Sequence, residues 1–247
     1  MSDNDPRRLD VELVRRGLVA SRAQARAAIE AGKVLVDGAA AAKPGLPVTP
    51  SSVILAEPAH PWVSRGGVKL DHALSVFGVD PAGRACLDVG ASTGGFTDVL
   101  LSRGARRVVA VDTGREQLHP KLKGDARVLS LESMDARDLT AEILGEPPSL
   151  IVVDASFIGL AKLLARPLEL AAEKAQLVGL FKPQFEVGPA YVGRGGIVSD
   201  QAAVERAAAE FADWLAGLGW PIDAWTPSPI AGGDGNLERL FHARSSR

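Results

Sequence analysis

A doubly wound α/β domain of mainly parallel strands, preceded by a small α+β module, is the architecture this sequence predicts. Three observations carry it. Beyond about residue 64, short apolar runs alternate with helical segments, the pattern of a parallel sheet covered on both faces. A glycine-rich stretch, Gly90-Ala91-Ser92-Thr93-Gly94-Gly95, follows the first of those runs, where open sheets bind ligands. Ahead of Pro58 and Pro61 the order is instead helix, helix, strand, strand. At 247 residues the chain has room for one full domain and a small appendage, expected at residues 64–247 and 6–57 around a linker at 58–63.

In the small module, Leu9 and Leu13 share one helical face and Gly17 supplies a stop. Ser21 with Gln24 three residues on forms a capping box for a second helix, and Gly32 is its natural end. Residues 34–36 read as a strand, Asp37-Gly38 as a turn and residues 52–56 as a second strand; residues 39–50, with three prolines, read as a loop. Between Arg7 and Arg26 lie six arginines against two acids, Asp10 and Glu12. Such a patch is either a solvated helix face or an anion-binding surface. Two short helices and a hairpin, with Arg22 and Arg26 one turn apart and Lys33 opening the strand, resemble the alpha-L RNA-binding motif. That resemblance implies that Arg7, Arg15, Arg22, Arg26 and Lys33 hold RNA phosphates, which positions RNA rather than reading its bases.

Composition narrows the classes. Hydrophobic residues at 46% and charged residues at 23% suit a packed core. The one cysteine, Cys86, has no internal partner, which fits a reducing cytosol and an expected cytoplasmic location. No apolar run approaches the roughly 20 residues that cross a bilayer, and residues 1–8 are polar and lead into no signal core. A net charge of −2 excludes a uniformly basic coat while leaving room for the local patch. Four histidines and one cysteine offer no spaced metal cluster.

In the large domain, strands are expected at 85–89, 107–111, 128–131, 150–154 and 176–181, with helices at 96–102, 139–144, 160–172 and 201–218. Strands at 222–226 and 237–243, joined through Gly232, Gly233 and Gly235, form a closing hairpin whose last strand runs antiparallel.

The glycine-rich stretch admits three readings. A dinucleotide fingerprint needs glycine where Ser92 stands. The segment from Gly90 to Gly94 matches the nucleophile elbow G-x-S-x-G, with Asp154 and His242 in hydrolase order, but it follows the first strand of its sheet rather than a later one. The third reading is a loop for S-adenosylmethionine, in which Asp88, Gly90, Ser92, Gly94, Gly95 and Phe96 shape the loop. Asp112, ending the second strand 22 residues beyond Gly90, would accept the ribose hydroxyls, and Asp135, after the third, the adenine amino group. Asp135 reads equally well as a helix cap.

Asp154 and Lys182 end adjacent strands, Glu238 begins the antiparallel strand at the same edge, and Lys69 precedes the first strand. These four match the lysine, aspartate, lysine, glutamate tetrad of FtsJ-like ribose 2'-O-methyltransferases. The segments around them resemble the TlyA, or haemolysin A, family: Ser64-Arg65-Gly66-Gly67-Val68-Lys69-Leu70, Ser156-Phe157-Ile158, Lys182-Pro183-Gln184-Phe185-Glu186, Gly195-Gly196-Ile197-Val198 and Gly235-Asn236-Leu237-Glu238. The resemblance spans nearly the whole chain. It implies a Rossmann-like S-adenosylmethionine-dependent methyltransferase, acting on a cytidine 2'-hydroxyl in ribosomal RNA, with Lys182 as the base. Its departures, Glu116, Ser133 and Asp135, touch the adenosine side. The likeness is nearer the shorter subtype of the family, which implies large-subunit RNA. Arg65, and Arg194 in a glycine-rich loop at residues 185–198 with Tyr191, are further expected RNA contacts. A non-catalytic RNA-binding protein and a membrane-active haemolysin are the alternatives.

Overall fold

The computed structural model describes residues 5–19 and 21–247. Residues 1–4, half of the polar opening, lie outside the described residues. The chain divides into two compact units, residues 1–61 and 62–247.

The first unit runs β1 (Arg7–Arg8), α1 (Leu9–Arg15), α2 (Arg22–Glu30), β2 (Val34–Val36), β3 (Ala39–Ala40), β4 (Pro47–Val48) and β5 (Ile54–Ala56). Ser21 caps α2 by accepting from the Gln24 amide at 3.2 Å. Leu9, Leu13, Ala25, Ala28 and Val34 fill a separate small core. The expected loop at 39–50 contains two short strands: β3 pairs antiparallel with β2, and β4 pairs with β1. Two-residue strands leave too few residues for an alternation to register in the sequence.

The second unit opens with α3 (Gly66–Phe77), β6 (Ala85–Val89), α4 (Gly95–Ser102), β7 (Arg107–Asp112), α5 (Pro120–Lys123), β8 (Val128–Glu132) and α6 (Ala141–Leu144). It continues with β9 (Leu150–Val153), α7 (Leu160–Glu169), β10 (Gln176–Phe181), α8 (Pro183–Glu186), α9 (Gln201–Gly217), β11 (Ile222–Pro227) and β12 (Arg239–Arg244). The sheet order is β11-β12-β10-β9-β6-β7-β8, with β10, β9, β6, β7 and β8 parallel and β12 antiparallel to both its neighbours. Successive strand residues face opposite sides. Leu87, Val89, Val109, Ile151 and Leu177 therefore pack toward α7 and α9, while Cys86, Val108, Leu150, Val152 and Val178 pack toward α3 and α4.

Helix α3 is the main departure from the sequence reading, which left this segment unassigned. Its two opening glycines resemble a loop, but a Cβ at Gly67 would overlap the Trp62 ring, so glycine here serves close packing. Leu70, Ala73, Leu74 and Phe77 then follow the helical period onto the sheet. The expected helix at 139–144 shortens to α6, and a 3-10 turn at Ala136–Asp138 precedes it. The expected loop at 185–198 contains the end of α8 and 3-10 turns at Pro189–Tyr191 and Arg194–Gly196. Glu238 precedes the last strand, which starts at Arg239.

Candidate active site at the carboxyl edge of the sheet

From β6 the parallel strands are added outward on one side as β7 and β8 and on the other as β9 and β10. The order of strands thus reverses between β6 and β9, and at such a point open sheets bind ligands in the crevice outside the carboxyl ends of their strands. The glycine loop fills one side of it. Gly90 has φ +80°, and a Cβ there would stand 2.8 Å from the Asp154 carbonyl oxygen. Only a residue without a side chain lets the two loops approach this closely.

Asp112 ends β7 and holds the loop. Its Oδ2 accepts from the Ser92 amide at 2.8 Å and its Oδ1 from the Gly114 amide at 2.6 Å. Each carboxylate oxygen has a second lone pair, so the same group can still accept ribose hydroxyls. A cavity of about 540 Å³ opens beside it, lined by Asp112, Met134, Asp135, Ser156, Phe157 and Ile158 among others. A second of about 240 Å³ is lined by Ser64, Gly95, Phe96, Asp154 and Lys182, and shares Gly90, Ser92, Asp154 and Ser156 with the first. Size, apolar walls and a carboxylate at a strand end suit the adenosine of S-adenosylmethionine in the larger space.

Two expected cofactor residues also have structural roles. Asp88 is fully buried and lines neither cavity; its Oδ2 accepts from Thr97 Oγ1 at 2.6 Å, tying β6 to α4. Burial pushes its carboxyl up to about 7. Its other oxygen, Oδ1, is buried without a hydrogen-bond partner among the described residues. Gly94, with φ +94°, also lines neither cavity, and a Cβ there would run into Leu118 and Leu122. Asp135 does line the larger cavity, but it also caps the 3-10 turn through the Arg137 amide and pairs with the Arg137 guanidinium.

The expected tetrad assembles as two ion pairs. Lys182 Nζ lies 2.6 Å from Asp154 Oδ1 and donates to Ser156 Oγ at 2.9 Å, at the edge of the smaller cavity. Lys69 Nζ lies 2.5 Å from Glu238 Oε2, and both side chains are almost wholly buried. Ser156, Met134 and Phe157 had no assigned role in the sequence. Phe157 is 92% exposed at the cavity wall with φ +66°, a backbone state that a bulky residue seldom adopts.

In the first unit, Asp10 draws together Arg8, Arg22 and Arg26, and Glu12 draws together Arg7, Arg15 and Arg16. Lys33 pairs with Glu57 at 3.1 Å. In the second unit, Arg65 donates to the Ala231 carbonyl at 2.9 Å, and Arg194 is exposed in its 3-10 turn. Among the described residues, no helix is long and apolar enough to cross a membrane.

Comparisons with known proteins agree with this geometry. A model of the FtsJ-like methyltransferase family matches residues 62–245, and one of the S4 domain matches residues 7–54. The chain is 47% identical over 240 residues to the 16S/23S rRNA (cytidine-2'-O)-methyltransferase TlyA of Mycobacterium tuberculosis strain H37Rv, covering 96% of this chain and 90% of that protein. It is 38% identical over 236 residues to Hemolysin A of Brachyspira hyodysenteriae, covering 95% and 98%. A solved structure from Streptococcus thermophilus, of a protein provisionally named a hemolysin, superposes with a TM-score of 0.76 at 36% identity, covering 98% of this chain and 89% of that one. The crevice, the loop held by Asp112 and the two lysine–acid pairs thus stand in a chain that belongs to the TlyA family of FtsJ-like methyltransferases, with an S4 domain ahead of the methyltransferase domain.

Proposed function

We propose that this methyltransferase acts on a cytidine 2'-hydroxyl of ribosomal RNA, with S-adenosylmethionine as donor and large-subunit RNA as the favoured substrate. The carrying observation is Lys182 at the edge of the smaller cavity, between Asp154 and Ser156. A ribose hydroxyl is a weak nucleophile until its proton is removed, and Lys182 accepts that proton once its own ammonium has released one to solvent. Asp154 and Ser156 hold the Lys182 nitrogen at a fixed position, which spares the search for the hydroxyl once the nitrogen is deprotonated. When bound, S-adenosylmethionine supplies an electrophilic methyl group on a sulfonium. Asp112 would hold its ribose, and Met134, Ile158 and Leu163 would form the apolar walls around its base.

The remaining features support this substrate. The arginine clusters of the first unit suit phosphate oxygens, and the exposed ring of Phe157 offers a stacking face to a base drawn out of its helix. The M. tuberculosis relative is named for both subunits' RNA, and a relative from Campylobacter jejuni, 36% identical over 182 residues, for 23S RNA alone. A ribosomal substrate makes this a cytoplasmic enzyme. The test is a ribosomal RNA target carrying 2'-deoxycytidine at the modified position. It should accept no methyl group, whereas its ribose counterpart does; methylation of both would move the reaction to the base.

A further inference from the structure

We propose that Asp10 and Glu12 are positioning residues, each holding three arginines of the first unit in place as a cradle for RNA phosphates. The inference rests on the RNA reading above. Acids on a helix that approaches RNA oppose binding if charge alone counts, and the sequence presents these two as a simple reduction of the basic patch. Their surroundings assign them a different role.

Asp10 is 0% exposed and Glu12 1%, although both sit on the short helix α1 near the surface. What covers them is the arginines. Arg8 Nε approaches Asp10 Oδ1 at 3.0 Å, while Arg22 Nη2 and Arg26 Nε approach Oδ2 at 2.9 and 3.8 Å. On the other acid, Arg15 Nη2 and Arg16 Nε approach Glu12 Oε1 at 2.6 and 2.8 Å, and Arg7 Nη1 approaches Oε2 at 3.7 Å. The side chains of Arg8, Arg15, Arg22 and Arg26 nevertheless stay about half exposed, at 50 to 55%. Around Asp10, Arg8 and Arg22 thus turn an edge of the guanidinium to the acid while about half of each side chain stays exposed. Arg22 spends its Nε and one Nη2 donor on Asp10 out of the five N–H donors of a guanidinium.

Each cluster keeps a formal charge of +2, three arginines less one acid. Hydrogen bonds from Arg8 first, and from Arg22, hold the Asp10 carboxyl down at about 2; those from Arg15 and Arg16 hold Glu12 likewise. Both acids thus stay charged at any pH where RNA is bound. A free arginine must lose its rotamer freedom when it grips a phosphate, and here that ordering has already taken place. Asp10 and Glu12 lie roughly 200° apart around the helix, so the cradles flank α1 on opposite sides. One reaches α2 through Arg22 and Arg26. The other is braced by Arg16, which also donates to the carbonyls of Ser52 at 2.8 Å and Thr49 at 3.0 Å.

The experiment is a salt titration of the full chain binding to isolated large ribosomal subunits, with thermal unfolding as the control for folding. Charge counting expects Asp10→Asn and Glu12→Gln to bind more tightly, because each removes a negative charge. Positioning expects weaker binding, on the order of tenfold, with a salt slope smaller by about one and the loss falling on KM rather than kcat. Arg22→Lys keeps the charge but lacks the fork that spans Asp10 and a phosphate together, and it should weaken binding as well. This exposed substitution carries the test if Asp10→Asn fails to fold. Equal or tighter binding by Asp10→Asn, or unchanged binding by Arg22→Lys, would overturn the inference while leaving the RNA reading intact. Absence of salt-dependent binding by the unaltered chain would instead overturn the RNA reading, and this inference with it.

Discussion

Lys182 and Glu238 flank the same end of one antiparallel pair: Phe181 pairs with Arg239, Lys182 directly follows β10 and Glu238 directly precedes β12. Each side chain nevertheless takes a different partner, Lys182 joining Asp154 and Glu238 joining Lys69. The edge thus holds one pair that lines a cavity and one that is buried beside it, and the two should fail differently when altered.

Lys182→Ala should abolish methyl transfer, a loss of at least about a hundredfold, because general-base catalysis typically contributes that much or more. Affinity for S-adenosylmethionine should change little, since the donor cavity is lined by Asp112 and its neighbours rather than by Lys182. Activity near that of the unaltered chain would remove Lys182 from the mechanism.

Glu238→Ala should act first on stability. It leaves the Lys69 ammonium in a site where its side chain is only 9% exposed, without the acid that compensates it. Breaking a buried pair in this way costs about 3 to 5 kcal/mol. Chemical denaturation would measure the loss, and a change below about 1 kcal/mol would show that Lys69 finds water or another acceptor.

Asp112→Ala should weaken binding of S-adenosylmethionine by about 1.5 to 3 kcal/mol for the lost charged hydrogen bonds. A further loss should come from the loop, because the Ser92 and Gly114 amides also lose their acceptor. Asp112→Asn retains an acceptor oxygen and should lie between. Calorimetry measures both, and equal binding by all three chains would place the ribose elsewhere.

The pH dependence of stability tests Asp88. Burial raises its carboxyl from 3.8 to about 7, so the folded chain holds this proton more tightly than the unfolded chain. That contribution is complete below 3.8 and is lost as pH rises through about 7. Glu186, raised by burial from 4.5 to about 7, acts in the same direction. Asp88→Asn removes only the first contribution. The melting temperature of the unaltered chain should therefore fall more steeply between about pH 4 and pH 8 than that of Asp88→Asn, whatever their absolute difference. Parallel curves would mean that Asp88 is ionised throughout.

The sheet was legible because its strands are short apolar runs, and their ends could be read as the ligand edge; Asp112, Asp154 and Lys182 all lie at or just past strand ends there. The bond from Thr97 to Asp88 was not legible: Asp88 lies inside β6, and an acid before a glycine run looks the same in sequence whether or not a helix side chain donates to it. Phe157 was legible as part of a motif, but its positive φ and exposure depend on how the segment between β9 and α7 turns. Asp10 and Glu12 looked like charge to be subtracted, and only the packing of α1 against its arginines shows them at the centres of the clusters.

The methyl group is expected on a ribose oxygen of ribosomal RNA, and an isotopic label shows where it goes. Ribosomal subunits lacking the modification would be incubated with the enzyme and S-adenosylmethionine carrying an isotopic methyl group, and the RNA digested to nucleosides for mass spectrometry. The expected result is label in 2'-O-methylcytidine alone, absent when Lys182→Ala replaces the enzyme. Label on a cytosine base, or in protein with none in the RNA, would contradict it.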